Sequence, residues 1–182
     1  MRRYISVLLF VMMLACEAFG IHSGEQAKRK QYIEIPREIA LPVIAIQPGC
    51  PVQFERVRLL IETSGRAAEA LTLYNRGTKP ISGVTYAMRT SNGGGWMSSW
   101  PKRLIELRIM PGEMIPLDGE AEVIVPLTDQ LRDKFKLRGS MQMIAVFMIV
   151  KVEFTDGSVY EDKETLQALE SYLQNLAAVH SQ

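Results

Sequence analysis

Turn-forming residues recur about every ten residues from Cys50 to Glu161, and this spacing limits the fold more than any other feature of the sequence. The segments between the turns have the length and the apolar, β-branched content of strands. Strands are therefore predicted at seven places, residues 52–61, 68–74, 81–89, 104–110, 121–125, 142–154 and 158–161. Many short strands joined by regular turns are typical of a β-sandwich or barrel, so the chain is predicted to be mainly β.

The stretch LYNRGTKPISGV, residues 73–84, shows how these turns are built. Asn75 and Gly77 are residue types that tolerate positive φ, and Pro80 fixes φ where the next strand begins. The stretch FTDGSVY, residues 154–160, predicts a tight hairpin through its Asp-Gly pair. Both stretches are interpreted as strand-to-strand connections and not as active-site loops.

Apolar residues alternate along two of the predicted strands, which places every second side chain on the same face. The two alternating trios are Val57, Leu59 and Ile61, and Val84, Tyr86 and Met88. The run from Met143 to Val150 is apolar throughout, which predicts a central strand covered on both faces. This run is too short to cross a membrane, and charged residues follow it at Lys151 and Glu153.

Two helices are predicted after and between the strands. The segment LTDQLRDKFKLRG, residues 127–139, offers Thr128 as N-cap and Gly139 as terminator of a short connecting helix. Residues 162–182 predict an amphipathic C-terminal helix that Asp162 can cap. Its apolar stripe consists of Leu166, Leu169, Leu173 and Leu176. We expect this stripe to dock on the sandwich; the alternative is that it binds a partner or a second copy of the chain.

The first 20 residues have the pattern of a signal peptide. Arg2 and Arg3 precede an apolar run at residues 7–15, and a small residue, Gly20, follows at a cleavage position. The chain is therefore predicted to be exported, to the periplasm or the extracellular space.

The letters MLAC at residues 13–16 offer an alternative, in which Cys16 is lipidated and becomes the N-terminus of a membrane-anchored lipoprotein. Met13 and Leu14 match the usual lipobox poorly. No other attachment to a membrane is predicted. Residues 21–49 contain several prolines, which cannot donate to a central strand ladder, and are predicted to form an extended linker or an edge segment.

Four short motifs follow one another along the chain in an order that resembles the pattern of uncharacterised secreted bacterial proteins with an immunoglobulin-like domain. They are CPV at residues 50–52, LYNRGTKPISGV at 73–84, PGE at 111–113 and VEFTDGSVYED at 152–162. The resemblance implies an immunoglobulin-like antiparallel β-sandwich of about seven strands over residues 50–161, a size typical of such domains. It implies no catalytic or ligand-binding residues, and the appended C-terminal helix departs from it.

The charge balance argues against a nucleic-acid partner. Removal of residues 1–20 would take away two Arg and one Glu, which leaves equal numbers of basic and acidic residues. Nucleic-acid binding needs a concentrated basic surface. The basic clusters at residues 28–30 and 132–138 are interpreted as solvated faces. The alternatives for the first cluster are contact with anionic lipid headgroups and, in a eukaryotic source, a dibasic processing site.

Residues for catalysis or metal binding are sparse. His22 and His180 lie near opposite ends of the chain, so no nucleophile has a histidine base near it in sequence. Metal-ligand spacings such as Cys-x-x-Cys do not occur. Cys50 is interpreted as a small, half-buried side chain at a strand start, with intermolecular pairing or a reactive thiol as alternatives. The chain is predicted not to be an enzyme and to use no cofactor or metal.

A binding hypothesis rests on SNGGGWMSSWPK, residues 91–102. Trp96 and Trp100 lie in or beside a glycine-rich connection, where flat aromatic surfaces could contact a sugar ring or a protein, with Asn92 as a polar neighbour. The competing interpretation is that one or both indoles cover the end of the core.

These observations together predict a non-catalytic exported module of the cell envelope or extracellular space, which acts by interaction with an envelope protein or as an accessory subunit. The alternative is a carbohydrate-binding domain that uses Trp96 and Trp100, with a glycan as ligand.

Overall fold

The computed structural model describes residues 30–92, 95–96, 101–117 and 123–179. The predictions for the signal peptide, Cys16 and the two histidines lie outside these residues. The described part contains eleven strands and two helices and is mainly β. The strands are β1 (Gln31–Glu34), β2 (Ala40–Ile44), β3 (Val52–Glu62), β4 (Ala67–Asn75), β5 (Ile81–Asn92), β6 (Gly95–Trp96), β7 (Lys102–Ile109), β8 (Met114–Pro116), β9 (Val123–Ile124), β10 (Met143–Phe154) and β11 (Val159–Glu161). The helices are α1 (Asp129–Lys134) and α2 (Lys163–Val179).

The strands form two sheets. The first sheet has the order β8-β4-β3-β1-β9, in which only the β1–β9 pair is parallel. In the second sheet, β5 and β10 pair along almost their whole length. The other edge of β10 pairs with β2 through residues 143–147 and with β11 through residues 151–153. Strands β2 and β11 therefore lie end to end along one edge of the second sheet.

Each of the seven predicted strands has a counterpart, and the described residues add four short strands, β1, β2, β6 and β8. Strands β1 and β2 come from the segment predicted as a linker or edge. Strand β2 tolerates Pro42 because it pairs with β10 on one side only, so a missing N–H on the other side breaks no ladder bond.

The core lies between the two sheets. Phe54 of β3 packs edge-to-face against Tyr86 of β5 and Phe147 of β10, with ring centroids 6.1 Å apart in both pairs. On β10, Phe147 faces this core while Val146 and Met148 are buried on the opposite face. The prediction that this strand is central and covered on both faces is confirmed.

Helix α2 covers the outer face of the second sheet. Leu166 and Leu169 pack against a cluster that contains Val146, Met148 and Ala87. Docking of the helix is thus confirmed for these two leucines, although both are half-buried rather than largely buried. Leu173 and Leu176 lie outside the described side chains.

Capping of the helices follows the sequence closely. The backbone N–H of Leu131 donates to the Thr128 hydroxyl at 3.3 Å, as an N-cap requires. Helix α1 ends at Lys134, and Lys136 takes a positive φ of 55°, so Gly139 is not its terminator. Gly139 instead has a φ of 101° in the following turn.

Candidate functional site

The sequence-predicted Trp site is only partly described. Asn92 pairs with Gly95 and Ser91 with Trp96, so the backbone brings Asn92 and Trp96 onto adjacent strands of a hairpin. Trp100 lies outside the described residues. The sugar-binding surface therefore stays a prediction.

A cleft of about 300 Å³ lies elsewhere, beside the connection from β2 to β3. Its floor is formed by Val52, Phe54 and Ile149, which are all buried and belong to the core between the sheets. Its apolar rim is formed by Ile44 and Ile46, and Ile46 is 86% exposed. An apolar rim above an apolar floor gives a concave surface on which a partner's apolar group could be buried.

Arg76 lines the cleft and is held in place by the loop before β3. Its Nε donates to the carbonyl of Cys50 at 2.6 Å, and its Nη2 donates to the carbonyls of Gln47, at 2.8 Å, and Pro48. The backbone N–H of Arg76 also donates to the carbonyl of Pro51 at 2.9 Å. The guanidinium is thereby fixed beside the cleft, and within the described part of the chain its Nη1 has no hydrogen-bond partner.

Asn75 fixes the turn that presents Arg76. It is fully buried, and its Nδ2 donates to the carbonyls of Lys79, at 2.9 Å, and Ile109, at 3.1 Å. Its Oδ1 accepts from the N–H of Gly77 at 3.0 Å. The prediction of a turn here is confirmed, but the expected positive φ is wrong, because neither Asn75 nor Gly77 has one. The side-chain amide forms the turn instead.

Gln47, on the wall of the cleft, completes the edge of the second sheet. Its Nε2 donates to the carbonyl of Ile149 at 2.7 Å, and its Oε1 accepts from the N–H of Ile149 at 2.8 Å. Ile149 lies between the stretches of β10 that pair with β2 and β11, so the amide fills the gap in the ladder. One side chain thus replaces a missing strand residue.

The same amide connects the cleft to helix α2. Gln47 Nε2 donates to Asp162 Oδ2 at 2.8 Å, while Asp162 Oδ1 accepts from the backbone N–H of Thr165 at 2.9 Å. Asp162 is therefore the N-cap of α2, as predicted. Burial raises the pKa of Asp162, but the hydrogen bonds from Gln47 and Thr165 outweigh it, so this pKa lies below its usual value.

Two groups behind the loop hold their protons at neutral pH. Cys50 is 1% exposed rather than half-buried, and burial raises the pKa of its thiol to about 11. Burial, together with the neighbouring Cys50 and Asp162, raises the pKa of Tyr160 to about 12. The thiol is therefore a packing residue under ordinary conditions.

Sequence reasoning singled out Asn75 and Cys50 but missed Gln47 and Arg76. The available signals were weak: Gln47 is a polar residue that follows the apolar run VIAI, and Arg76 lies between two turn residues. Among the residues that the structure describes, no three His, Cys, Asp or Glu side chains are grouped closely enough to hold a metal ion. Nor does any helix in the described ranges have the length and apolarity to cross a membrane.

No protein-family model matches the chain, and no curated protein matches it either. A solved structure is similar, that of a hypothetical protein from Peptoclostridium difficile 630. It is 12% identical in sequence, with a TM-score of 0.44, and the match covers 72% of this chain and 100% of that one. This likeness names neither a family nor an activity for the chain.

Proposed function

We propose that this chain is a non-catalytic exported interaction domain of the cell envelope or extracellular space, with an immunoglobulin-like fold. It binds a protein partner through the cleft between β2 and β3. The observation that carries this proposal is the exposed apolar rim of the cleft, above all Ile46.

The strand order supports the immunoglobulin-like part of the proposal. Strands β3, β4 and β8 are neighbours in one sheet, in the order in which strands A, B and E lie in immunoglobulin domains. Strands β11, β10, β5 and β7 are neighbours in the other sheet, like strands G, F, C and C′. The short strands β1, β2, β6 and β9 are additions to this pattern.

The exposure of Ile46 supports an interface at the cleft. Most of its side chain is in contact with water, and Ile44 beside it is 39% exposed. A single exposed apolar residue is ordinary on a protein surface. Here two exposed isoleucines lie on the rim of a cleft whose floor is formed by buried residues of the core. A partner that covers the rim would remove apolar surface from water, which is the main driving force of association.

Export is supported by the sequence at residues 1–20, where basic residues precede a short apolar run. Cleavage near Gly20 would release the domain into the periplasm or the medium, whereas lipidation of Cys16 would keep it at a membrane.

Site-specific photo-crosslinking in the native host tests the proposal. A photoreactive amino acid is placed at Ile46 and, as a matched control, at Leu104, an exposed apolar residue of β7 on the opposite edge of the second sheet. We expect a discrete crosslinked product from position 46 and none from position 104. Equal labelling at both positions, or no product from either, would contradict the proposal.

A further inference from the structure

We infer that the cleft recognises the C-terminus of a partner polypeptide: Arg76 binds the terminal carboxylate, and the floor of the cleft takes the last, apolar side chain. This inference rests on the proposed function and specifies the ligand of the same site.

The charge of Arg76 is the first reason. Carbonyl groups accept from Nε and Nη2 of the guanidinium, so Arg76 is oriented by neutral acceptors and not by a carboxylate. Among the described residues, Arg76 forms no ion pair with a carboxylate. An Arg whose orientation is already fixed loses little entropy when it binds an anion, and the two N–H groups that remain on Nη1 can donate to a carboxylate oxygen.

The apolar floor is the second reason. Val52, Phe54 and Ile149 lie beside Arg76 in the same cleft, so a ligand that satisfies the site must carry an apolar group next to its carboxylate. A volume of about 300 Å³ is at the small end for ligand pockets, which suits one side chain better than a large cofactor. A polypeptide that ends in an aliphatic or aromatic residue has this combination.

The free edge of β3 favours a polypeptide over a free fatty acid. In the described structure, residues 52–57 of β3 pair with β4 on one side, while β1 pairs only with residues 60–62. An extended peptide can add to such an edge through its backbone, which gives the residues before the terminus a place to bind. The acidic Glu55 on this edge is hydrogen-bonded by Gln53, so its charge is partly engaged.

The experiment selects ligands from a library of hexapeptides displayed with free C-termini, using the full mature chain. We expect the selected peptides to end in an apolar residue, and their synthetic forms to lose at least about tenfold in affinity when the carboxylate is converted to a carboxamide. Failure to select any peptide, or equal affinity of the acid and the amide, would overturn the inference. Binding is measured by calorimetry.

Three variants and a second probe complete the test. Arg76→Lys keeps the charge but removes the Nη1 donors, and we expect weaker binding. Because this change also removes the bonds from Nε and Nη2 to the loop, the acid-against-amide comparison on the unaltered protein decides. Decanoate is the second probe: binding as tight as that of the selected peptides would show a fatty-acid site and overturn the polypeptide ligand. Ile46→Glu must abolish peptide binding, whereas Leu104→Glu must not. If crosslinking at Ile46 succeeds while amidation has no effect, the proposed function stands and this inference fails.

Discussion

Replacement of Gln47 by Ala should destabilise the whole domain, because this one amide joins the β2–β3 loop, β10 and helix α2. The change removes the two hydrogen bonds with the backbone of Ile149 and the one to the carboxylate of Asp162. Neutral hydrogen bonds contribute about 1 kcal/mol each and those to charged groups somewhat more. Since Asp162 is partly exposed, we expect a total loss of about 2 to 4 kcal/mol in the free energy of unfolding.

Urea unfolding measures this loss, and hydrogen exchange locates it. The matched control is Gln53→Ala: Gln53 also lines the cleft, but among the described residues its side chain bonds only to the exposed Glu55. This change should cost about 0.5 kcal/mol or less. In Gln47→Ala, the amide protons of Ile149 and Thr165 should exchange faster than in the control. Equal stability of the two variants would refute the reasoning that Gln47 completes the sheet and supports the cap of α2.

Four further predictions follow from the same contacts. Asn75→Ala should lower the free energy of unfolding by about 2 to 4 kcal/mol in a urea titration, because backbone groups that bond to the Asn75 amide lose their hydrogen-bond partner. A loss under about 1 kcal/mol would contradict the interpretation that the amide of Asn75 holds the turn. Leu169→Ala should lower the free energy of unfolding by about 1 to 2 kcal/mol, less than the same change at a fully buried leucine. Replacement of Tyr172, which is 59% exposed, by Ala should lower it by no more than about 0.5 kcal/mol. Equal shifts in the melting temperature of the two variants would contradict docking of the helix. Cys50 should react with a thiol reagent at pH 8 only after unfolding, since it is buried and its pKa is about 11; rapid labelling of the folded protein would disagree. The pKa of Asp162 is lower in the folded chain than its ordinary 3.8, so its contribution to stability is present above pH 3.8 and is lost as the pH falls below that value. In Asp162→Asn, the free energy of unfolding should therefore fall less steeply with decreasing pH in this acid range. An unchanged pH dependence would show that other carboxylates cause the fall.

Local patterns in the sequence were enough to predict the strands, because turn chemistry and alternation act over a few residues. The hairpin at Asp156-Gly157, where Gly157 has a φ of 80°, and the caps at Thr128 and Asp162 are of this kind. Strands β1 and β2 were not distinguished from a linker, because Pro36 just after β1 and Pro42 within β2 break the apolar pattern and the pairing partners of both strands are distant in sequence.

The cleft could not be predicted in this way. Gln47 and Ile149 are 102 positions apart in the sequence, and the contact between them depends on how β2 and β11 share the edge of β10. Arg76 is fixed by carbonyl groups, which every residue has, so its partners leave no trace in residue types. Side-chain to backbone contacts of this kind become visible only when the sheets are assembled.

We propose that the domain binds its partner at the apolar rim of the cleft. Two tagged variants of the domain, Ile46→Glu and Leu104→Glu, are first shown by thermal unfolding to be as stable as the unaltered protein. Each is then expressed in the native host, and the proteins that co-purify with it are quantified. We expect Ile46→Glu to lose the specific partner and Leu104→Glu to keep it. Retention of the same partner by Ile46→Glu would show that the rim of the cleft is not the binding surface.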